Sequence, residues 1–280
     1  MVLAMLFLAA MDVCAKFLAN DHDVLQIVWI RFFGQSVVVM ILLFPIHGLK
    51  LIKSNHLPLQ LIRSVLMILG TFMNFISLRY LQLDQTAAIA FTSPFWVVLF
   101  SVPLLGERVS RVQVLAIAAG FIGVLVITRP GFGEVHWAAY LSVGVALVLA
   151  LFQIATRKLA SIDNDATTLF YTTALGAVVV SPFVMSVWTT PNTIGWFAML
   201  LLGVLGLAGH YCIIVAHRYA PAGVLAPFVY TQIIWMIVFG FIIFADVPDF
   251  WTLVGATIVV SSGLYLWHRA RSRQEPAHSQ

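Results

Sequence analysis

The sequence predicts an all-α integral membrane protein with ten transmembrane helices. Apolar residues make up 61% of the 280 positions and charged residues only 9%, against about 45–50% and 25% in soluble domains. The apolar residues form ten runs, and about 20 such residues are enough to span a bilayer. A soluble fold could not cover this much apolar surface. The composition therefore excludes a cytosolic enzyme, a nucleic-acid-binding protein and a disordered scaffold.

Turn and charge signals divide the chain into ten predicted spans. The runs are continuous rather than alternating, which favours helices over the strands of an outer-membrane barrel. Asn20–Asp23, Asp163–Asp165 and Pro191–Asn192 are examples of the breaks. The predicted helices cover residues 1–19, 25–46, 59–79, 83–105, 112–128, 136–157, 166–187, 195–217, 222–245 and 250–268.

The basic residues predict the orientation of the spans. With both termini in the cytoplasm, eleven Lys and Arg residues lie inside and three outside, while Arg31 lies within a span. This asymmetry is typical of the positive-inside rule. The first run has no basic residues before it, so it is interpreted as a span and not as a cleaved signal peptide. Residues 269–280 are expected to be a disordered cytoplasmic tail.

The chain contains a predicted duplication. An offset of 142 residues overlays Lys16 on Lys158 and Gly34 on Gly176, and an offset of 139 overlays Gly70 on Gly209. The predicted halves are residues 1–133 and 134–268. Because each half has five spans, an odd number, the second half must insert inverted. Inverted repeats are typical of secondary transporters, whose substrate site lies near the bilayer midplane; the alternative is a duplicated structural bundle without transport.

Two segments carry a family resemblance. In the first half these are Ser93–Trp96 and Leu105-Gly106-Glu107-Arg108, and the second half has the same pattern at Tyr230–Trp235 and Asp246–Asp249. They resemble the drug/metabolite transporter superfamily, and in particular its EamA-type members, except that Asp246 replaces the usual Glu. The resemblance implies a ten-helix carrier with both termini inside that exports or exchanges small metabolites, with amino acids as the leading class.

Two tryptophans are candidate substrate-binding residues. Trp96 and Trp235 each lie about 13 residues into a predicted span, near the midplane. Thr92 and Thr231, four residues earlier, share their helix faces. An indole can pack an apolar group or a cation and can donate from its N–H. The alternative is that both indoles fill helix–helix contacts.

Polar residues inside other spans are further candidates. His210 lies deep in the eighth span, Asn74 in the third and Gln232 in the ninth. Each could line a polar cavity or bond a neighbouring helix. Neither alternative is favoured by the sequence alone for the two amides, and a helix-bonded role is slightly favoured for His210.

Two charges lie at matching depth, about 10 Å from the outer surface. Asp12 in the first span and Arg31 in the second are predicted to pair, with Lys16 one turn above Asp12 as a competing partner. The functional interpretation is an outer gate, or an Arg31 guanidinium that binds a substrate carboxylate. The structural interpretation is a buried ion pair.

Motifs for other chemistry are absent from the sequence. There is no phosphate-binding loop, zinc-protease motif or serine elbow, and Cys14 and Cys212 suggest no disulfide or metal site. We expect no cofactor, no metal and no nucleic-acid partner.

The predicted function is export of small metabolites across a bacterial inner membrane. The alternatives are a proton-coupled multidrug or cation efflux pump, which would use Asp12, and, less favoured, a membrane-embedded enzyme or a signalling bundle. Small residues in spans five and ten suit a homodimer contact.

Overall fold

The regular secondary structure is helical in the part of the chain that the structure, a computed structural model, describes. The described residues are 1–81, 83–90, 92–106, 109–128, 136–245, 250–251, 253–258, 261–262 and 265. Within these ranges there is no β-strand. The turn residues Glu107 and Arg108, the segment 246–249, part of the tenth predicted span and the tail at 269–280 lie outside them.

Eleven α-helices and two short 3-10 helices are defined in the described part of the chain. The 3-10 helices are Gly48–Leu51 and Ala226–Tyr230. The α-helices, numbered in chain order, are α1 (Val2–Leu18), α2 (Val24–His47), α3 (Leu57–Tyr80), α4 (Leu83–Ala90), α5 (Ser93–Leu105), α6 (Arg111–Thr128), α7 (Ala138–Leu159), α8 (Asp165–Val184), α9 (Thr193–Tyr219), α10 (Ala222–Leu225) and α11 (Thr231–Phe244).

Six helical segments in the described ranges are long and apolar enough to cross a bilayer. They are Val24–Leu51, Leu57–Tyr80, Tyr140–Leu159, Asp165–Val184, Thr193–Tyr219 and Ala222–Phe244. The helices Ser93–Leu105 and Arg111–Gly123 are apolar but shorter. The structure thus agrees with an integral membrane fold, and a total of ten spans stays a prediction.

Two predicted spans are not continuous helices. The segment 83–105 consists of α4 and α5, and 222–245 consists of α10, a 3-10 helix and α11. Each break adjoins a proline, Pro94 in the first turn of α5 and Pro227 in the first turn of the 3-10 helix. Proline lacks the N–H that an unbroken helix needs, but it suits a first turn. The prolines within these two predicted spans therefore mark the places where the helices are interrupted.

Side-chain caps begin three of the long helices at the predicted breaks. Asp23 accepts from the Leu25 N–H, Asn164 from the Thr167 N–H and Asn192 from the Gly195 N–H. Such caps satisfy amides that have no partner within the helix. The polar breaks in the sequence therefore mark helix starts as well as loops.

The core lies between helices from the two predicted halves of the chain. The most extensive helix contacts join α1 to α9, α3 to α7 and α2 to α8. The largest apolar cluster draws residues from all six of these helices, with Phe32, Phe75 and Phe152 among its fully buried members. Neither predicted half therefore packs around a core of its own.

Close packing of α8 on α2 depends on one glycine. A Cβ at Gly176 would overlap the ring of Phe32, at the inner atoms of a fully buried side chain that has no room to move. Gly34, which the 142-residue offset pairs with Gly176, has no atom within 4 Å of a Cβ built at its position. The two glycines thus form a matched pair for testing this contact.

Gly176→Ala should lower stability, by about 1–2 kcal/mol, because overpacking costs more than the better helix propensity of Ala gains. Gly34→Ala should be neutral or stabilising by up to about 1 kcal/mol. Thermal unfolding of the detergent-purified proteins measures both. Equal melting temperatures for the two variants would show that α2 and α8 are not packed as described.

Candidate functional site

A cavity of about 100 Å³ lies between helices from both ends of the chain. Apolar side chains such as Met11, Leu66, Val145 and Phe152 form much of its wall. Its polar lining residues are Asp12, Arg31, Thr71, Asn74, Thr86, Ser93, His210 and Gln232. A mostly apolar cavity with a few converging polar groups is the usual form of a ligand site.

Asp12 enters the cavity from α1 and is 4% exposed. Its Oδ1 accepts from Asn74 Nδ2 of α3 at 3.1 Å, and its Oδ2 accepts from Gln232 Nε2 of α11 at 3.0 Å. A carboxylate can accept about four hydrogen bonds, so Asp12 can accept further donors beyond these two amides. A ligand ammonium group is one donor that would supply them.

Arg31 enters the cavity from α2 and is 2% exposed. Its Nη1 donates to Thr71 Oγ1 at 2.6 Å, and its Nη2 lies 2.7 Å from His210 Nε2. Because a guanidinium only donates, His210 accepts here through Nε2 and carries its proton on Nδ1. Arg31 Nε and His210 Nδ1 have no hydrogen-bond partner in the described part of the chain. Two donors are thus left for a ligand.

Aromatic rings hold the Arg31 guanidinium from the side. Its central carbon lies 5.3 Å from the ring centroid of Phe32 and 5.4 Å from that of Phe75. Such cation–π contacts favour a desolvated cation. The Arg31 charge is therefore positioned by neutral groups, which leave its affinity for an anion intact.

Asp12 and Arg31, which the sequence predicts to pair, make no direct hydrogen bond to each other in the described part of the chain. The sequence placed both residues at one depth, and both do line one cavity. Asp12, however, bonds the amides of Asn74 and Gln232, whereas Arg31 bonds Thr71 and His210. The predicted competitor Lys16 instead donates from Nζ to the Leu81 carbonyl at 3.0 Å, at the ends of α1 and α3.

The two tryptophans are not among the residues that line the cavity. Trp96 packs beside Phe100 and against the cluster that contains Val97 and Ala222, and Trp235 packs against the cluster that contains Met5. These helix contacts match the alternative interpretation of both indoles.

The paired threonines bond their own helices. Thr92 Oγ1 donates to the Ile89 carbonyl at 3.0 Å, and Thr231 Oγ1 donates to the Phe228 carbonyl at 2.7 Å. Neither hydroxyl lines the cavity. Of the predicted substrate-binding residues, the structure therefore brings together Arg31, Asn74 and His210, beside Asp12.

Thr71, which sequence analysis missed, is a direct partner of Arg31. The offset of 139 that pairs Gly70 with Gly209 also pairs Thr71 with His210. Arg31 thus bonds two positions that are equivalent under the predicted duplication. That offset is the sequence signal that could have identified Thr71.

A second polar network lies near the predicted cytoplasmic end, in the loop between α7 and α8. Asp163 accepts from Ser54 Oγ at 2.5 Å, from the Asn55 N–H at 2.8 Å and from Gln60 Nε2 at 2.8 Å. Burial alone would raise the pKa of the Asp163 carboxyl, but hydrogen bonds from Ser54, Gln60 and Asn55 outweigh it and lower the pKa below its usual value. The network joins the loop before α3 to the loop before α8.

Asp163→Asn should lower the melting temperature at pH 7, and the difference from wild type should shrink as the pH falls below about 4. A lowered carboxyl pKa stabilises the fold above the unfolded-state pKa, and this contribution disappears as Asp163 itself becomes protonated. Melting temperatures from pH 3 to 7 measure this.

The matched control for this prediction is Asp165→Asn. Asp165 forms a 2.8 Å ion pair with Arg218 whose side chains are 26% and 37% exposed, so its loss should cost little. A pH-independent difference between wild type and Asp163→Asn would contradict the role assigned to the Asp163 charge.

Comparison with known proteins gives a family match across the chain. The model of the EamA-like transporter family matches residues 1–129 and again residues 136–267. A solved crystal structure superposes with a TM-score of 0.73 at 17% identity, covering 98% of this chain and 97% of its own. At this identity the similarity concerns the fold alone.

Curated bacterial relatives span nearly the same length. The S-adenosylmethionine uptake transporter of Rickettsia felis is 24% identical, over 99% of this chain and 94% of its own. The riboflavin transporter of Brucella anthropi is 27% identical over 84% and 86%, and the pseudopaline exporter of Pseudomonas aeruginosa is 27% identical over 92% and 91%. These relatives are all small-molecule transporters, and none is an enzyme.

Proposed function

The chain belongs to the EamA-like transporter family, and we propose that it is a secondary carrier that exports small metabolites, with amino acids as the leading class. The cavity around Asp12 and Arg31 would be its substrate site, exposed to each side of the membrane in turn. The composition, the apolar helices and the bacterial relatives support a place in a bacterial inner membrane.

The observation that carries this proposal is the pair of unlike charges facing one cavity without bonding each other. A buried ion normally pairs with a counter-ion, because removing it from water costs several kcal/mol. Asp12 and Arg31 keep bonding capacity that neutral neighbours leave unused. An amino acid would satisfy both, with its carboxylate at Arg31 Nε and its ammonium group at Asp12.

The size of the cavity favours a small solute. Its volume of about 100 Å³ exceeds the roughly 30 Å³ share of one water molecule but is well below the roughly 300–1,000 Å³ of drug-sized ligand sites. This favours amino acids over the lipophilic cations of a multidrug pump. A larger substrate would require the helices to separate.

Three observations support alternating access by two inverted halves. The family model matches twice. The contact of α1 with α9 has its equivalent in that of α7 with α3. The left-handed residue Gly106, which ends α5 with φ of 67°, corresponds at an offset of 139 to Ala245, which ends α11 with φ of 58°. Inverted halves packed across each other are the usual basis of rocking carriers.

A homodimer through spans five and ten stays part of the proposal. On α6, which corresponds to the fifth predicted span, Val114, Leu115 and Ile122 are exposed. Such a surface suits contact with lipid or with a second copy of the chain.

Arg31→Gln and Asp12→Asn should each lower the rate of L-alanine counterflow in proteoliposomes by at least about tenfold, since each removes one charge-assisted contact worth about 1.5–3 kcal/mol. Trp96→Phe and Trp235→Phe, which lie outside the cavity lining, serve as controls and should keep the wild-type rate. Wild-type counterflow by both charge variants would contradict the proposed site.

A proton-coupled efflux pump is the second candidate, because Asp12 is a buried acid that lines the cavity. In that case Asp12→Asn would abolish the dependence of transport on a pH gradient while exchange at equal pH continued. For an amino-acid site, Asp12→Asn should instead slow transport and exchange together. Flux measured with and without a pH gradient separates the two.

A further inference from the structure

Arg63 is a second fully buried arginine, away from the lining of the cavity. It lies on α3 with 0% exposure, six residues after Leu57 and about 9 Å along the helix axis. Thr71, the partner of Arg31, lies eight residues further, about 12 Å deeper. Arg63 is thus between the cavity and the predicted cytoplasmic end of α3.

The partners of Arg63 are neutral oxygens on α7 and α8. Its Nε donates to Thr156 Oγ1 at 2.7 Å, and its Nη1 donates to Thr172 Oγ1 at 2.5 Å and to the Thr168 carbonyl at 3.4 Å. Both hydroxyls donate their own hydrogen bonds to helix carbonyls, Thr156 to that of Phe152 and Thr172 to that of Thr168. They therefore serve Arg63 only as acceptors and fix the plane of its guanidinium.

One guanidinium nitrogen is left over. Arg63 Nη2 is buried and has no hydrogen-bond partner in the described part of the chain, and no carboxylate in that part bonds Arg63. The nearby acid network reaches Gln60, which donates to Asp163 and to Thr168 Oγ1, and no acid of that network bonds Arg63 directly. An unpaired cation in a membrane interior is costly, and in such proteins it commonly marks a substrate pathway.

Phe152 separates the two arginines. Its ring centroid lies 4.4 Å from the central carbon of Arg63, and the same residue lines the cavity. It also meets the ring of His210, the Arg31 partner, edge-on with centroids 6.1 Å apart. A side-chain rotation of Phe152 would connect the cavity to the Arg63 Nη2.

We propose that Arg63, held by Thr156 and Thr172, is a second anion-binding station that receives the substrate carboxylate on the cytoplasmic side of Phe152. This rests on the proposed function, and it assigns carboxylates as the substrate class. Arg31 and Arg63 are held in a similar way, because the protein bonds two nitrogens of each guanidinium and leaves the third, Nε of Arg31 and Nη2 of Arg63, for the ligand. The carboxylate passes from one donor to the other as Phe152 turns.

The test compares the two faces of the membrane with radiolabelled L-alanine in everted and right-side-out vesicles. Arg63→Gln should raise the half-saturating alanine concentration at the cytoplasmic face by about tenfold or more, because it removes a charge-assisted hydrogen bond. At the external face the change should stay below about twofold, the usual effect of a substitution distant from the site. Arg63→Lys should restore part of the cytoplasmic affinity, since it keeps the charge.

The ligand class is tested by competition at the cytoplasmic face of the wild type. Acetate should inhibit alanine uptake and ethylamine should inhibit it less, because only acetate carries the anion. In Arg63→Gln the acetate inhibition should weaken. Equal inhibition by the two compounds, or an unchanged cytoplasmic half-saturation in Arg63→Gln, would overturn the station. Equal changes at both faces would do so as well, since they indicate a structural role.

Two further measurements cover the other outcomes. If Arg63→Gln does not fold, Thr172→Val replaces it, because valine keeps the shape of threonine but removes the hydroxyl that holds the guanidinium. Thr172→Val should raise the half-saturating alanine concentration at the cytoplasmic face by less than Arg63→Gln would, and no rise at all would overturn the proposal.

If the wild type transports no alanine from either face, the proposed function has failed. Acetate should then still raise the melting temperature of Arg31→Gln but not that of Arg63→Gln, and no difference would overturn the station.

Discussion

The structure depends on the cost of burying unpaired charge in an apolar interior. The basic residues Arg31 and Arg63 and the acidic residue Asp12 are almost completely buried from solvent. Each is held by neutral hydroxyl, imidazole, carbonyl or amide groups. Neutral partners lower the cost of desolvation without neutralising the charge. The charges are therefore available to a solute that brings its own counter-charge into the protein.

Helix packing places Asp12 and Arg31 at one cavity. Extensive contacts of α1 with α9 and of α3 with α7 bring side chains from distant parts of the sequence into one cavity. Threonines that donate to their own helix present only lone pairs to the arginines, at Thr71 as at Thr156 and Thr172. The same local arrangement thus recurs at both buried cations, and each guanidinium keeps one nitrogen without a protein partner in the described chain.

Much of the architecture could be predicted because composition and capping are local properties. The apolar runs predicted the six helical segments that are long enough to cross a bilayer, and Asn164 and Asn192 marked helix starts. In so apolar a chain the few polar residues within spans are conspicuous, which is why Asp12, Arg31, Asn74 and His210 were identified. Depth along a helix follows from counting residues, at about 1.5 Å each.

Rotation about the helix axis and the choice of neighbour do not follow from such counting. Matching of depth placed Asp12 beside Arg31 but could not predict that Asn74 and Gln232 donate hydrogen bonds to the Asp12 carboxylate. Trp96 and Trp235 are predicted to lie near the midplane, but the direction of each side chain depends on packing between helices. Arg63 is one of the eleven basic residues that the sequence predicts on the cytoplasmic side, and its burial depends on threonines about a hundred residues away in the sequence.

The central claim is that the cavity recognises both charges of one small solute, and calorimetric titration of the purified protein tests it most directly. L-Alanine should bind, and propionate and ethylamine, which each lack one of its charges, should each bind at least about tenfold more weakly. Equal affinities for the three compounds would contradict the account, because they would show that neither Asp12 nor Arg31 recognises a charge of the solute.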